Sequence, residues 1–254
     1  MHPEPIFYLY DIPINLYVLC YALGFLPAVG VALWLARERG YPLLPVLDSA
    51  VLLIVAAVIG GPLLVLLLRP LAPNMPGNYS FAQLLAVLIM LGIGYLMGDR
   101  PIPITAGLDL LAPAAALYIA IARLGCFASG CCHGKPAWGV PWAVTFHDPH
   151  SASIYRGIPV HPTQLYEAAG CLLLFLWLMA LRNRPQWRGR LFWLFLGGYG
   201  VLRFVVEIYR GDVKPMVGEL ALAQVICIGL VVVSSVMLAR TWGRQPRIRV
   251  GSAA

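Results

Sequence analysis

Charge is what this chain has least of. Asp, Glu, Lys and Arg make up only 11% of its 254 residues, while 60% are hydrophobic. A water-soluble domain cannot cover its surface with so little charge, so the ordinary globular classes are excluded. The chain also lacks low-complexity tracts, internal repeats and any linker that would set off a second domain, so residues 1–254 are expected to form one membrane domain. Without an inverted repeat, a transporter is disfavoured. No basic segment precedes the first apolar run, and that run is too long for a signal-peptide core of about 7–15 residues.

The chain does contain repeated apolar runs of the length a bilayer demands. Seven spans are expected, at Ile14–Ala36, Val46–Leu68, Phe81–Met97, Ala106–Leu124, Thr163–Leu181, Leu191–Ile208 and Val217–Ala239. The fold class is therefore an all-α polytopic membrane protein. The net charge of +7 invites a nucleic-acid reading, but the arginines sort by side of the membrane instead. If the loops alternate, one side holds Arg37, Arg39, Arg100, Arg182, Arg184, Arg188, Arg190, Arg240, Arg244, Arg247 and Arg249. The other holds Arg69, Lys135, Arg156, Arg210 and Lys214. That bias predicts a cytoplasmic C-terminus and an outer N-terminus, with the membrane and not a nucleic acid as partner.

This topology puts residues 125–161 on the outer face, as the longest connection. It carries four of the five histidines, His133, His147, His150 and His161. Its glycines and prolines predict irregular structure, with Trp142–Phe146 and Ile158–Val160 able to pair as short strands. The stretch opens on Arg123-Leu-Gly-Cys-Phe-Ala-Ser-Gly-Cys-Cys-His-Gly-Lys-Pro136, a cation, three thiols and an imidazole at the end of an apolar helix. Ionisable groups so placed usually mark a site. Three readings of Cys126, Cys131 and Cys132 stay open: metal ligands with His133, a disulfide, or a thiolate nucleophile activated by Arg123, His133 and Lys135. Cys20, Cys171 and Cys227 fall in apolar spans and read as small hydrophobes.

Two more motifs carry polar groups into spans. His161-Pro-Thr-Gln-Leu-Tyr-Glu167 opens the fifth, and Gly198-Tyr-Gly-Val-Leu-Arg-Phe-Val-Val-Glu207 lies in the sixth. Arg203 and Glu207 share a helical face and read either as a structural ion pair or as part of an anion site. Arginines at one depth near the outer leaflet suit a phosphate, which guanidinium groups bind by paired hydrogen bonds.

In order, Tyr17, Arg123-Leu-Gly-Cys-Phe-x-x-Gly with Gly134, His161-Pro-Thr-Gln-Leu-Tyr-Glu, and Gly-Tyr-Gly-x-x-Arg203-Phe-x-x-Glu207-x-x-Arg210-x-Asp212 resemble prolipoprotein diacylglyceryl transferase. The resemblance implies a bacterial inner-membrane enzyme of seven spans. Such an enzyme moves diacylglyceryl from phosphatidylglycerol to a preprolipoprotein cysteine as a thioether, releasing glycerol phosphate without a metal or organic cofactor. It also implies that Arg123 and Arg203 hold the lipid phosphate, and that Tyr17, Gly134, Gln164, Tyr166, Glu167, Glu207 and Arg210 line or support the lipid cavity.

Three departures from the family pattern stand out. Ala82, within Ser80–Leu85, takes the place of the family's His-Gly-Gly histidine. Pro62 follows Gly60-Gly61 where the family has arginine, and Cys126 and Cys131 replace a signature asparagine and glutamate. With that histidine gone, His133 or His161 is the expected proton acceptor. Two other functions fit the same scaffold: a different lipid-modifying reaction using the Cys/His centre, and a non-enzymatic thiol or metal-binding membrane protein.

Overall fold

The computed structural model describes residues 4, 6–9, 12–55, 102–211 and 216–242. These fall into two compact units, one comprising residues 1–31 and 108–254 and the other residues 32–107. Among the described residues, five helices are long and apolar enough to cross a membrane: α1 (Leu16–Glu38), α3 (Ile104–Ser129), α4 (Thr163–Leu181), α5 (Leu191–Tyr209) and α6 (Leu222–Thr241). A shorter helix, α2 (Leu44–Val55), begins the second expected span. The rest of that span lies outside the described residues, as do the third (Phe81–Met97) and the positions of Ala82 and Pro62.

Hydropathy locates the helices but misses three boundaries. Helix α3 continues past Leu124 to Ser129, because Gly125-Cys-Phe-Ala-Ser keeps helical dihedrals until Gly130 (φ 75°) ends it. Cys126 is therefore on a helix rather than in the outer connection. The first helix starts at Leu16, since Ile12–Ile14 (β2) pairs antiparallel with Phe7–Leu9 (β1). Helix α6 starts at Leu222, after a tight hairpin of Met216–Val217 (β5) and Leu220–Ala221 (β6) turning at Gly218. The expected pairing in the outer connection is present as Val144–Thr145 (β3) against Pro159–Val160 (β4).

Within the larger unit the helices meet through small residues. Ala112 and Ala116 of α3 pack against Leu174, Leu178 and Leu181 of α4 and Leu191 and Phe195 of α5. In lipid no hydrophobic force separates helix from solvent, so close backbone approach and good packing hold such contacts together. Gly125 is one such approach: a Cβ there would sit 2.8 Å from Cys20 Cβ and 3.1 Å from the Tyr17 carbonyl oxygen. That closeness brings the Tyr17 and Tyr21 face of α1 against the Ser129 end of α3.

At the other end of α3, buried Asp109 accepts hydrogen bonds from the backbone N–H groups of Gly189 and Phe192 at 2.5 and 3.3 Å. It thereby satisfies donors at the start of α5, where a negative charge also suits the helix dipole. Arg190 donates to the carbonyls of Gln186 and Thr241 and lies 5.5 Å from the Trp242 ring, closing the end of α6.

Candidate functional site

After Gly130 the chain makes one more unusual turn. Cys132 has φ 57°, the positive value of the left-handed region, and is the only described residue other than glycine to do so. From there His133–Pro136 runs extended between two neighbours. The Lys135 N–H donates to the Tyr209 carbonyl at 2.8 Å and Gly211 N–H to the His133 carbonyl at 3.1 Å on one side. On the other, Gly134 N–H donates to the His161 carbonyl at 2.9 Å and His161 N–H to Lys135 at 3.1 Å. Gly134 is required here: a Cβ would lie 2.5 Å from both the Cβ and the carbonyl oxygen of His161, and 2.9 Å from the Tyr209 oxygen. The ends of α3, α4 and α5 are thus tied by backbone hydrogen bonds at the same place.

Arg123 lies at the centre of what this tie assembles. Its Nη2 donates to Glu167 Oε1 at 2.9 Å, and the Tyr199 hydroxyl donates to the same oxygen at 3.0 Å. Glu167 is 2% exposed, so its carboxylate would be costly without these donors. Among the described residues, Arg123 Nη1 has only long contacts, 3.8 Å to Cys126 Sγ and 3.8 Å to Cys132 Sγ. One edge of the guanidinium is therefore anchored, and the other is left as a donor. A second cluster lies on α5, where Glu207 Oε2 is 2.7 Å from Arg203 Nη1 and 3.8 Å from Arg210 Nε. At 2.7 Å the Arg203–Glu207 contact is a close ion pair within one helix. Both Arg123 and Arg203 act electrostatically on the Tyr199 phenol, and both Arg123 and Arg210 act on Cys132.

The three sulfurs of Cys126, Cys131 and Cys132 lie within 4.8 Å of one another. All three cysteines are free thiols in the structure. Cys126 is buried, with its Sγ 3.2 Å from the Tyr21 hydroxyl. Ser129 Oγ donates to Cys131 Sγ at 3.2 Å, and the Cys131 thiol reaches the Cys126 carbonyl at 3.7 Å. The Cys132 thiol is held below its ordinary pKa, first by hydrogen bonds from the Cys126 and Cys131 thiols and then by the Arg210 and Arg123 charges. The Cys131 thiol is pushed up by those same neighbours, whose negative charge it would otherwise share. One thiolate is thus favoured in the group, on Cys132.

His133 does not join this cluster. It is buried, with Nδ1 on the Gly134 carbonyl at 3.1 Å and Nε2 accepting from the Ile154 N–H at 3.3 Å. Both nitrogens are used by the backbone, which removes the ring from the four-donor metal set and from the thiolate-activating groups. His161 is placed differently. Its Nδ1 lies 3.1 Å from the Tyr166 hydroxyl, which accepts from Trp142 Nε1 at 2.7 Å. The Tyr166 proton is therefore directed to Nδ1, and among the described residues Nε2 has no partner.

Gln164 donates Nε2 to the Cys131 carbonyl at 2.7 Å, and its buried Oε1 is without a hydrogen-bond partner among the described residues. Thr163 Oγ1 holds the Cys132 carbonyl at 2.8 Å. Tyr17 packs on Tyr21 with ring centroids 4.5 Å apart. Sequence reasoning left Tyr21, Tyr199 and Trp142 out of the site. Tyr21 is one helical turn from Tyr17, and Tyr199 one turn before Arg203, so the four-residue spacing was the signal.

The distribution of these groups over three motifs far apart in sequence has a counterpart among known proteins. A family model described as prolipoprotein diacylglyceryl transferase matches residues 4–240. A phosphatidylglycerol–prolipoprotein diacylglyceryl transferase of Geobacter sulfurreducens is 33% identical, covering 82% of this chain and 83% of that protein. One of Clostridium tetani is 30% identical over 90% of this chain and 93% of its own. A third, of Methylibium petroleiphilum, is 33% identical over 83% of this chain and 87% of its own. The helices, the motifs they bring together and these matches agree: the chain belongs to the prolipoprotein diacylglyceryl transferase family.

Proposed function

We propose that this protein is a phosphatidylglycerol-dependent diacylglyceryl transferase, acting on the lipobox cysteine of a preprolipoprotein at the outer face of a bacterial inner membrane. The observation that carries the reading is the half-committed guanidinium of Arg123, one edge on Glu167 and the other without a short partner among the described residues. A phosphate oxygen is a better acceptor for that edge than a sulfur at 3.8 Å. Arg203 and Arg210, flanking Glu207, supply the further positive charge that a phosphodiester needs as it departs. We take the fold as seven spans with the N-terminus outside and the C-terminus in the cytoplasm, as the arginine distribution implies.

In this reaction the acceptor thiol sulfur bonds to the terminal glyceryl carbon of the lipid. The bond from that carbon to the phosphate oxygen breaks, and glycerol phosphate leaves with both electrons. The acceptor's proton goes to His161 Nδ1 once the Tyr166 hydroxyl has turned away, Nε2 keeping its own proton. Such a base is typically worth about 10²–10⁴-fold. Gln164 Oε1 is an acceptor for a hydroxyl of the lipid headgroup. The thiols of Cys126, Cys131 and Cys132 stand beside the phosphate grip and outside the bond-making step. A cysteine of the protein that took the diacylglyceryl group would form a thioether, and a thiolate is a far poorer leaving group than a phosphate.

Transfer from radiolabelled phosphatidylglycerol to a synthetic lipobox peptide, by the purified full-length protein in detergent, tests this reading. Label on the peptide cysteine, with release of glycerol phosphate, is expected. Hydrolysis of the lipid without peptide labelling would favour a different lipid-modifying reaction.

A further inference from the structure

We propose that Cys126, Cys131 and Cys132 form a three-coordinate site for a soft metal ion, with Cu(I) as the occupant. The first support is geometric: the three sulfurs lie within 4.8 Å of one another. They come from different local structures, with Cys126 in the last turn of α3 and Cys131 and Cys132 beyond its end. The left-handed backbone at Cys132 is what returns its sulfur to Cys126. A residue other than glycine is strained there, which marks the conformation as one the surroundings enforce.

The second support is the donor set around each sulfur. Cys126 has the Tyr21 hydroxyl at 3.2 Å, Cys131 has the Ser129 hydroxyl at 3.2 Å, and Arg123 Nη1 lies 3.8 Å from both Cys126 and Cys132. Outer donors of this kind orient thiolate ligands and steady their charge. Gln164 and Thr163 hold the backbone carbonyls of Cys131 and Cys132 at 2.7 and 2.8 Å, so the loop that carries two of the ligands is itself pinned.

The identity of the ion follows from what is present. Thiolates select soft ions, and no carboxylate or imidazole joins the group among the described residues. Structural zinc is almost always four-coordinate. The adjacent histidine cannot provide the fourth bond, because both of its ring nitrogens are engaged by backbone groups. Cu(I) is satisfied by three thiolates. Binding releases the thiol protons and breaks the Cys131 contact to the Cys126 carbonyl, with no change in oxidation state of metal or protein.

The test is an anaerobic titration of the purified full-length protein with Cu(I) in the presence of a chromophoric Cu(I) chelator, followed by X-ray absorption at the copper edge. The expected result is one Cu(I) per chain held against the chelator, with three Cu–S bonds. Cys126→Ser, Cys131→Ser and Cys132→Ser should each weaken binding by at least about 100-fold. Cys171→Ser and Cys227→Ser should leave it unchanged. Failure of the unmodified protein to retain copper, a two-sulfur spectrum, or preferential retention of Zn(II) would overturn the proposal. The measurement uses no lipid or peptide substrate, so it stands or falls apart from the transferase reading.

Discussion

The two ends of helix α3 both carry buried charge, and they spend it differently. At one end Asp109 gives its carboxylate oxygens to backbone N–H groups of the α5 start, and Arg190 nearby gives its guanidinium to carbonyls and an indole ring. These partners, backbone groups and the Trp242 ring, are part of the packed helix ends, so the charges there are structural. At the other end Arg123 is anchored to a side chain by one edge, Arg203 pairs with a side chain of its own helix, and Gln164 Oε1 has no hydrogen-bond partner among the described residues. A buried polar group that the fold leaves incompletely satisfied is costly, and such groups collect where a ligand completes them. The contrast separates site from scaffold more sharply than charge or burial alone, since Asp109 and Glu167 are almost equally buried.

Breaking the Arg123 end should affect turnover most. Arg203→Ala is expected to lower diacylglyceryl transfer by about 10²–10³-fold, the usual loss when one transition-state donor is removed. Arg210 still faces Glu207 in that variant, so the protein should remain monodisperse on gel filtration. Arg123→Lys keeps the charge but loses the fork geometry, and a comparable loss in the same assay is expected. Retained turnover in both variants would dissolve the distinction between the two ends.

A second variant acts on geometry instead of charge. Gly134→Ala places a methyl 2.5 Å from His161 Cβ, so the strand that ties α3, α4 and α5 together must shift. Overpacking of this kind costs about 1–3 kcal/mol. Both a lowered midpoint of thermal unfolding and impaired transfer are expected. At the scaffold end the signature should be the reverse. Asp109→Ala leaves the Gly189 and Phe192 N–H groups unpaired, at about 1–3 kcal/mol, yet transfer per folded molecule should stay within about twofold.

The smallest effect concerns the thiols. A free cysteine titrates near 8.5, so its alkylation slows by about tenfold per pH unit below that value. Cys132, whose pKa is lowered by the neighbouring thiols and by Arg210 and Arg123, stays ionised as the pH falls. Its alkylation rate, followed by peptide mass spectrometry, should therefore be nearly flat between pH 8 and 6. Cys131, pushed the other way, should be poorly labelled throughout.

Much of the Arg123 end is legible in the sequence, because its residues occur in motifs whose composition does not suit lipid. Arg123, Glu167, Arg203 and Glu207 stand out in this way, and the structure shows Arg123 paired with Glu167 and Arg203 with Glu207. The role of His133 is not legible. Its place next to two cysteines suggests a shared centre, but the left-handed turn at Cys132 separates them, and the imidazole is taken up by the Gly134 carbonyl and the Ile154 N–H. The scaffold end is equally silent. Asp109 reads as an isolated acid in an apolar helix, and its partners lie some 80 residues away at Gly189 and Phe192. Hydropathy also ends α3 at Leu124, since it registers the loss of apolar side chains and not the glycine dihedral that stops the helix after Ser129.

The central claim is that Arg123 and Arg203, at the Ser129 end of α3, perform the family's reaction. It is tested most directly by expressing the chain in a bacterium depleted of its own prolipoprotein diacylglyceryl transferase, beside the Arg203→Ala and Asp109→Ala variants at matched membrane levels. Growth and lipid labelling of a reporter lipoprotein with the unmodified chain and with Asp109→Ala, but not with Arg203→Ala, is the predicted result. Labelling that persists with Arg203→Ala, or that is absent with the well-expressed unmodified chain, would contradict it.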